Sequence, residues 1–284
     1  MGIKNQLKKI PVLVSIFRKY KRFRKRYDGI NWNKTIYINF KTQTFRNALK
    51  LPIFIYGKVT IRNLSGKIII DAPITRRMIC IGLEVDQFSS PKGSVLIYIP
   101  GTMIFKGHAI IAADCCIDVS GTLTIGNFCL FGTSVKIRCW DKITIGKGTR
   151  ITVECQVFDT NFHYMRNVVT GKIYPCSKKI DIGCYSWIGN RTTIMKGTRL
   201  PDYSIVAGNS LLNKDFTQDA PQYPTIAGIP AKVVGSGNIR VFSVKQEVFL
   251  NNFFRNRPDR NYYLGEIGIV DEDIELLNFF QNPI

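Results

Sequence analysis

Apolar residues through the middle of the chain return at an interval that is neither helical nor that of a simple strand. Ile97, Phe105, Ile111, Ile117, Ile125, Phe131, Ile137, Ile145, Ile151 and Val157 are spaced by eight, six and six residues, three times over. With 45% of the chain hydrophobic, ten such hits arise by chance only about once in a few thousand trials. A helix would repeat every ~3.6 residues and a strand every ~2. A step of six fits a coil with three short flat faces, in which each inward side chain stacks on its counterpart one turn earlier. One corner per turn is longer by two residues.

Neighbouring positions agree with that geometry. The residue two before the inward position is small at the tight corners: Ala109, Cys115, Cys129, Cys155, Ser186, Thr192, Thr198 and Ser204, with Val135 the exception. At the long corners the same offset holds Met103, Leu123 and Ile143. The register is lost after Val157 and resumes at Ile182, Ile188, Ile194, Leu200, Val206 and Leu212. The intervening stretch, 159–180, is predicted as a loop extruded from the coil. Residues 58–96 are rich in β-formers but irregular, as incomplete first coils would be. A stack of coils leaves open ends that need covering. The expected organisation is therefore mainly β: a basic N-terminal segment and cap (1–57), a parallel β-helix of hexapeptide repeats (58–235), and a C-terminal extension (236–284). The extension, with its acidic helix-like stretch at 271–275, is expected to cover the far end.

Charge and cysteine usage refine this picture. Formal net charge is +20, and residues 1–28 alone hold ten Lys or Arg against one acid, Asp28. Aromatic residues Phe17, Tyr20, Phe23 and Tyr27 are interleaved there, so contact with an anionic membrane is one reading and a solvated basic cap the other. Nucleic acid is not expected as a partner, because no reading motif accompanies the charge. The eight cysteines show no CxxC spacing and are read as small buried thiols in a reducing compartment. The apolar run from Ile10 to Phe17 is short, contains Pro11 and leads into the basic run. The expected location is the cytoplasm, at the inner face of a membrane if residues 1–28 rest on lipid.

The segment 182–234 carries an ordered set of motifs: Ile182-Gly183 to Trp187-Ile188-Gly189, Ile194-Met195-Lys196-Gly197, Ser204 to Ser210, Asn213-Lys214-Asp215, and Ala227-Gly228-Ile229-Pro230-Ala231-Lys232. Together with the repeats, these resemble the hexapeptide-repeat acyltransferase superfamily, in particular its maltose, galactoside and xenobiotic O-acetyltransferase branch. The resemblance covers about 97–235. It implies a left-handed coil, against the usual right-handed crossover, and a homotrimer with acetyl-CoA as acyl donor in clefts between neighbours.

Of the two histidines, His163 stands where the coil gives way to the loop, in Asp159-Thr160-Asn161-Phe162-His163. Similar enzymes hold their general base there. A neutral imidazole suits the task of taking a proton from an attacking hydroxyl. Asp159 either orients that imidazole or forms a turn; Asn161 either meets the acceptor or shapes the turn. The resemblance assigns the coenzyme to Trp187, Asn190, Gly208, Asn213, Lys214 and Lys232, although Trp187 and Gly208 suit plain coil packing as well. Asn213 stands where a threonine is usual. His108, on a regular coil, is expected to be a solvated face residue.

The expected function is transfer of an acetyl group from acetyl-CoA to a sugar hydroxyl of a surface polysaccharide or related glycan precursor, without a metal. Two histidines fall short of the three that a γ-type carbonic anhydrase zinc site needs. An N-acetyltransferase acting on an amino sugar or nucleotide sugar remains open, and so does a non-catalytic trimeric scaffold.

Overall fold

A computed structural model describes residues 29–85, 93–218, 220–264 and 280. The basic segment 1–28 and the acidic stretch 271–275 lie outside the described residues.

The period of twenty becomes three sheets of nine, seven and six strands, visited in turn and parallel except for the last strand. On the seven-stranded face Ile97, Ile117, Ile137, Val157, Ile194 and Leu212 stand in register. Phe105, Ile125, Ile145, Ile182 and Leu200 do so on the six-stranded face. Ile111, Phe131, Ile151, Ile188, Val206 and Ile226 form the column of the nine-stranded face. All are buried and meet in one core along the axis. Ile145 pairs with Ile182 across the extruded loop, so the loop leaves the stack undisturbed. The architecture is a parallel β-helix of three sheets.

Most tight corners turn on a residue in the left-handed region, three before the inward position. Asp114, Ser134, Glu154, Arg191 and Asn209, with φ between 57° and 62°, serve one corner; Phe128, Gly148, Tyr185, Tyr203 and Tyr223 serve another. The small residue that follows contributes a hydrogen as well as saving space. Cys115, Cys129 and Cys155 donate their thiols to the carbonyls of Gly132, Gly146 and Gly189 at 3.2, 3.1 and 3.1 Å. Thr192 and Thr198 hydroxyls reach Ala207 and Leu212 carbonyls at 3.2 and 3.0 Å. Cysteine in the first coils and serine or threonine in the later ones therefore solve the same problem. Burial pushes the Cys129 thiol up to about 12, far from a reactive thiolate.

The irregular upstream strands are the first coils. β1 (Ile53–Ile55), β2 (Val59–Asn63) and β3 (Lys67–Ile70) make the opening turn, so the coil begins inside the segment predicted as cap. Over it lies α1 (Trp32–Thr42), started by the Asn31 side chain accepting from Lys34 N at 3.1 Å. β1 is the edge of its sheet, and α1 satisfies that edge. The Thr35 hydroxyl accepts from Ile55 N at 3.0 Å. The Asn39 amide accepts from Ile53 N at 3.1 Å and donates to Ile53 O at 2.6 Å. Replacing Asn39 by leucine strands both groups of Ile53 in an apolar place. A loss of about 2–4 kcal/mol is expected, measured as a lower urea midpoint.

Of the C-terminal extension the structure describes residues 236–264 and 280. After a closing hairpin (Pro224–Gly228 and Ala231–Ser236) comes a helix, α3 (Val244–Asn256), the single turn Phe45–Ala48 being α2. Phe242 packs edge-on to Tyr185 at 5.6 Å, and Phe280 packs on Phe128 at 5.6 Å. Both belong to a second apolar cluster on the outside of the nine-stranded sheet. Phe242 and Phe280 thus pack against the side of the prism, where the outward column Phe54, Cys80, Ile110 is apolar. His108 is drawn into the same cluster: its ring stacks on Phe128 at 5.5 Å, and burial lowers its pKa. It is not the solvated residue the sequence suggests.

Candidate active site

The seven-stranded face carries two inward residues per strand: Ile97 and Ile99, Ile117 and Val119, Ile137 and Cys139, then Val157 and Asp159. Asp159 is wholly buried in an otherwise apolar column. The coil below explains why. Ser120 N and Gly121 N donate to Cys139 O at 2.8 and 3.0 Å, which closes the long corner. One turn later the chain leaves the coil, and the Asp159 carbonyl is diverted to Lys178 N at 2.9 Å. Its carboxylate replaces it, accepting from Trp140 N at 2.7 Å and Asp141 N at 2.8 Å. Burial nonetheless raises the Asp159 pKa, more than these amides lower it.

This substitution lets the chain depart without leaving the two corner amides unpaired. Of the two readings of Asp159, the geometry carries the turn-forming one. Its oxygens serve the corner, and no hydrogen bond among the described residues joins it to His163. The orienting role has no support within one chain.

The extruded segment is a hairpin, not an irregular loop. Thr160 bridges Ser177 and Arg166 bridges Ile173, both antiparallel. Asn161 N donates to Cys176 O at 2.8 Å, and Lys196 Nζ holds the returning leg through Pro175 O and Cys176 O at 2.8 and 3.1 Å. The tip is apolar and open: Val168 and Val169 are 91% and 90% exposed. His163 is exposed on the outgoing leg, while Asn161 is half-buried at its base.

Beside His163 the structure gathers residues that sequence reasoning missed. The Arg138 guanidinium lies 5.3 Å from the Phe162 ring and 5.5 Å from Trp140, and pairs with Asp118. Asp118 Oδ1 is buried with no hydrogen-bond partner, and burial raises its carboxyl pKa against the pull of Arg138. Trp140 is exposed on the long corner where the earlier coils have Pro100 and Ser120. An unusually large residue at a corner otherwise kept small was the available signal. An exposed aromatic face beside paired charges is a surface suited to a sugar ring.

The remaining candidates fall in separate places. Asn213 and Lys214 are exposed on the long-corner edge, beyond the hairpin; the Lys214 ammonium sits 5.2 Å from the Phe216 ring. Trp187 faces outward on the nine-stranded sheet between Arg150 and Ile205. Asn190 and Gly208 share the next corner, where Asn209 N donates to Asn190 O at 2.9 Å. A Cβ on Gly208 would meet Asn190 O at 3.1 Å, so coil packing alone favours glycine there. Lys232 is exposed on the closing hairpin. One chain therefore puts Asp159, Asn161, His163, Asn213 and Lys214 along one edge, and Trp187, Asn190 and Gly208 on another face and corner.

A repeat-built prism with a histidine hairpin leaving its long corner is the class that fold and site define. No protein-family model matches the chain. It is similar to the putative lipopolysaccharide biosynthesis O-acetyl transferase WbbJ of Escherichia coli K12, 27% identical over 112 residues, or 37% of this chain and 55% of that protein. The chain thus spans about half the length of that relative. Among solved structures it is similar to the polySia-specific acetyltransferase NeuO, with a TM-score of 0.47 and 18% identity, covering 75% of this chain and 91% of that one. For the polysialic acid O-acetyltransferase OatWY the TM-score is 0.35 and the identity 20%, over 69% and 99% of the two chains.

Proposed function

We propose that this chain is a coenzyme-A-dependent O-acetyltransferase that acetylates a sugar hydroxyl of a surface glycan or its precursor, working in the cytoplasm. One observation carries the reading: of two histidines, His108 is committed to an aromatic cluster, and His163 is presented to solvent where the coil is broken. The similarity to a lipopolysaccharide O-acetyl transferase supports the reaction class.

In this reading the acceptor sugar rests against Trp140 and Phe162, with Arg138 and Asp118 within its reach. The His163 imidazole takes the hydroxyl proton as the oxygen attacks the thioester carbon. The C–O bond forms, the tetrahedral intermediate collapses with loss of the C–S bond, and the thiolate receives the proton from the imidazolium. Backbone N–H groups at a corner stabilise the oxyanion. An amine acceptor would use the same base, which keeps N-acetylation as the second reading.

The coenzyme is held by Trp187, Asn190, Gly208, Asn213, Lys214 and Lys232. Because Trp187, Asn190 and Gly208 lie on a different face and corner of the prism from His163, a complete site forms between copies, in a homotrimer. The two lysines would meet phosphate as point charges. Lys214→Ala and Lys232→Ala are each expected to raise KM for acetyl-CoA about tenfold with kcat nearly unchanged. Steady-state kinetics of thiol release check this, and an unchanged KM in both would remove them from the coenzyme site.

A further inference from the structure

The helix over the first coil carries large apolar residues on its outward face as well as on its buried one. Its inward face carries Ile38, which joins the core, flanked by the polar Thr35 and Asn39 that the edge of β1 requires. Its outward face carries Trp32, Ile36 and Phe40 at successive steps of four, with Tyr37 alongside. The row continues beyond the helix through Phe45, whose ring meets Phe40 at 5.9 Å, to Leu49. Ile36, Phe45 and Leu49 are 50%, 71% and 60% exposed. A contiguous apolar surface of this kind on a helix already anchored by its other face marks an interaction site.

Charge identifies the partner. Residues 29–70 include seven Lys or Arg and no acid, and 1–28 add ten more against one. Lys41, Arg46 and Lys50 are exposed among the aromatic residues. Bonds from α1 and its C-cap reach all three strands of the first coil: Thr35 and Asn39 to β1, the Lys34 ammonium to Val59 O of β2, and Gln43 to Ile68 O of β3 at 3.0 Å. The helix therefore lies across the end of the prism, and its apolar face looks outward from it. A second copy docked end to end would press two strongly basic surfaces together.

We propose that this end of the prism binds an anionic phospholipid membrane, with Trp32, Ile36, Tyr37, Phe40, Phe45 and Leu49 entering the boundary between headgroups and acyl chains while the flanking lysines and arginines meet phosphate. Strands stack about 4.8 Å apart, so the His163 hairpin, four coils on from β2, stands about 20 Å above that first coil, with α1 between the coil and the lipid. If the transferase reading holds, the acetylated sugar is one carried at that height on a membrane-anchored glycan. Membrane binding itself does not depend on that reading.

The test is flotation of the full chain with vesicles of phosphatidylcholine, with and without about one third phosphatidylglycerol, together with tryptophan quenching by lipids brominated on their acyl chains. Binding is expected to be at least about tenfold tighter to the anionic vesicles, with quenching that Trp32→Phe largely removes. A variant combining Ile36→Ser, Phe40→Ser and Leu49→Ser, with its fold checked by circular dichroism, should bind about tenfold more weakly. Three results would overturn the proposal: vesicle binding without Trp32-dependent quenching, equal binding by the triple variant, or a patch-dependent self-association in the absence of lipid, which would assign the face to a second copy.

Discussion

Replacing His163 by alanine is expected to lower kcat for acetyl transfer by about two to four orders of magnitude while leaving KM for acetyl-CoA nearly unchanged. Removing a positioned general base costs on this scale. In the proposed mechanism the imidazole meets the acceptor proton and not the coenzyme, so the loss belongs in kcat. The fold should be unaffected, because His163 is an exposed residue on a hairpin whose base is held by other groups. His108→Ala provides the contrast: it removes a ring stacked on Phe128 and should lower stability more than rate. Thiol release from acetyl-CoA, followed beside a thermal melt for both variants, separates the two. Undiminished turnover in the His163 variant would remove it from the role of base.

The second large effect is expected at Asp159. Asp159→Ala strips the acceptors from Trp140 N and Asp141 N, the two amides that its buried carboxylate ties down at the long corner. Each unpaired donor costs about 1–3 kcal/mol, so a total loss of about 2–5 kcal/mol is expected, well above that of an ordinary surface substitution. Asp159→Asn keeps one acceptor and should fall between. Hydrogen exchange at Trp140 and Asp141 should quicken in both variants, and activity should fall as the hairpin loses its fixed point of departure. In the residual activity the pH profile should keep its shape, because the carboxylate acts on the corner. A displaced profile with unchanged amide protection would return Asp159 to the role of orienting His163.

These two aspartate and histidine positions show how far the sequence carries. The core columns were legible because an inward position recurs every turn and a polar residue there would be costly. The hairpin was legible as a break in that count. What Asp159 does was not, since the carbonyl it replaces is identified only by comparing hydrogen bonds between successive coils. The first coils were blurred by corners of unequal length around Ile70 and Ile81. The seat of Phe242 and Phe280 was hidden for another reason. The outward column Phe54, Cys80, Ile110 reads as scattered apolar residues until strand register lines them up. Trp140, Arg138 and Phe162 come together from a corner, a strand and the hairpin, so no sequence spacing could join them.

The central claim is acetyl transfer to a sugar hydroxyl, and product analysis tests it most directly. The chain would be incubated with acetyl-CoA and a panel of sugars, nucleotide sugars and cell-envelope glycan fragments, and the product's acetyl linkage challenged with mild alkali. The account predicts free thiol released in step with an alkali-labile acetyl ester on a sugar, both lost with His163→Ala. An alkali-stable amide would move the activity to an amine, and a chain that does not bind acetyl-CoA at all would contradict the account and make the prism a scaffold.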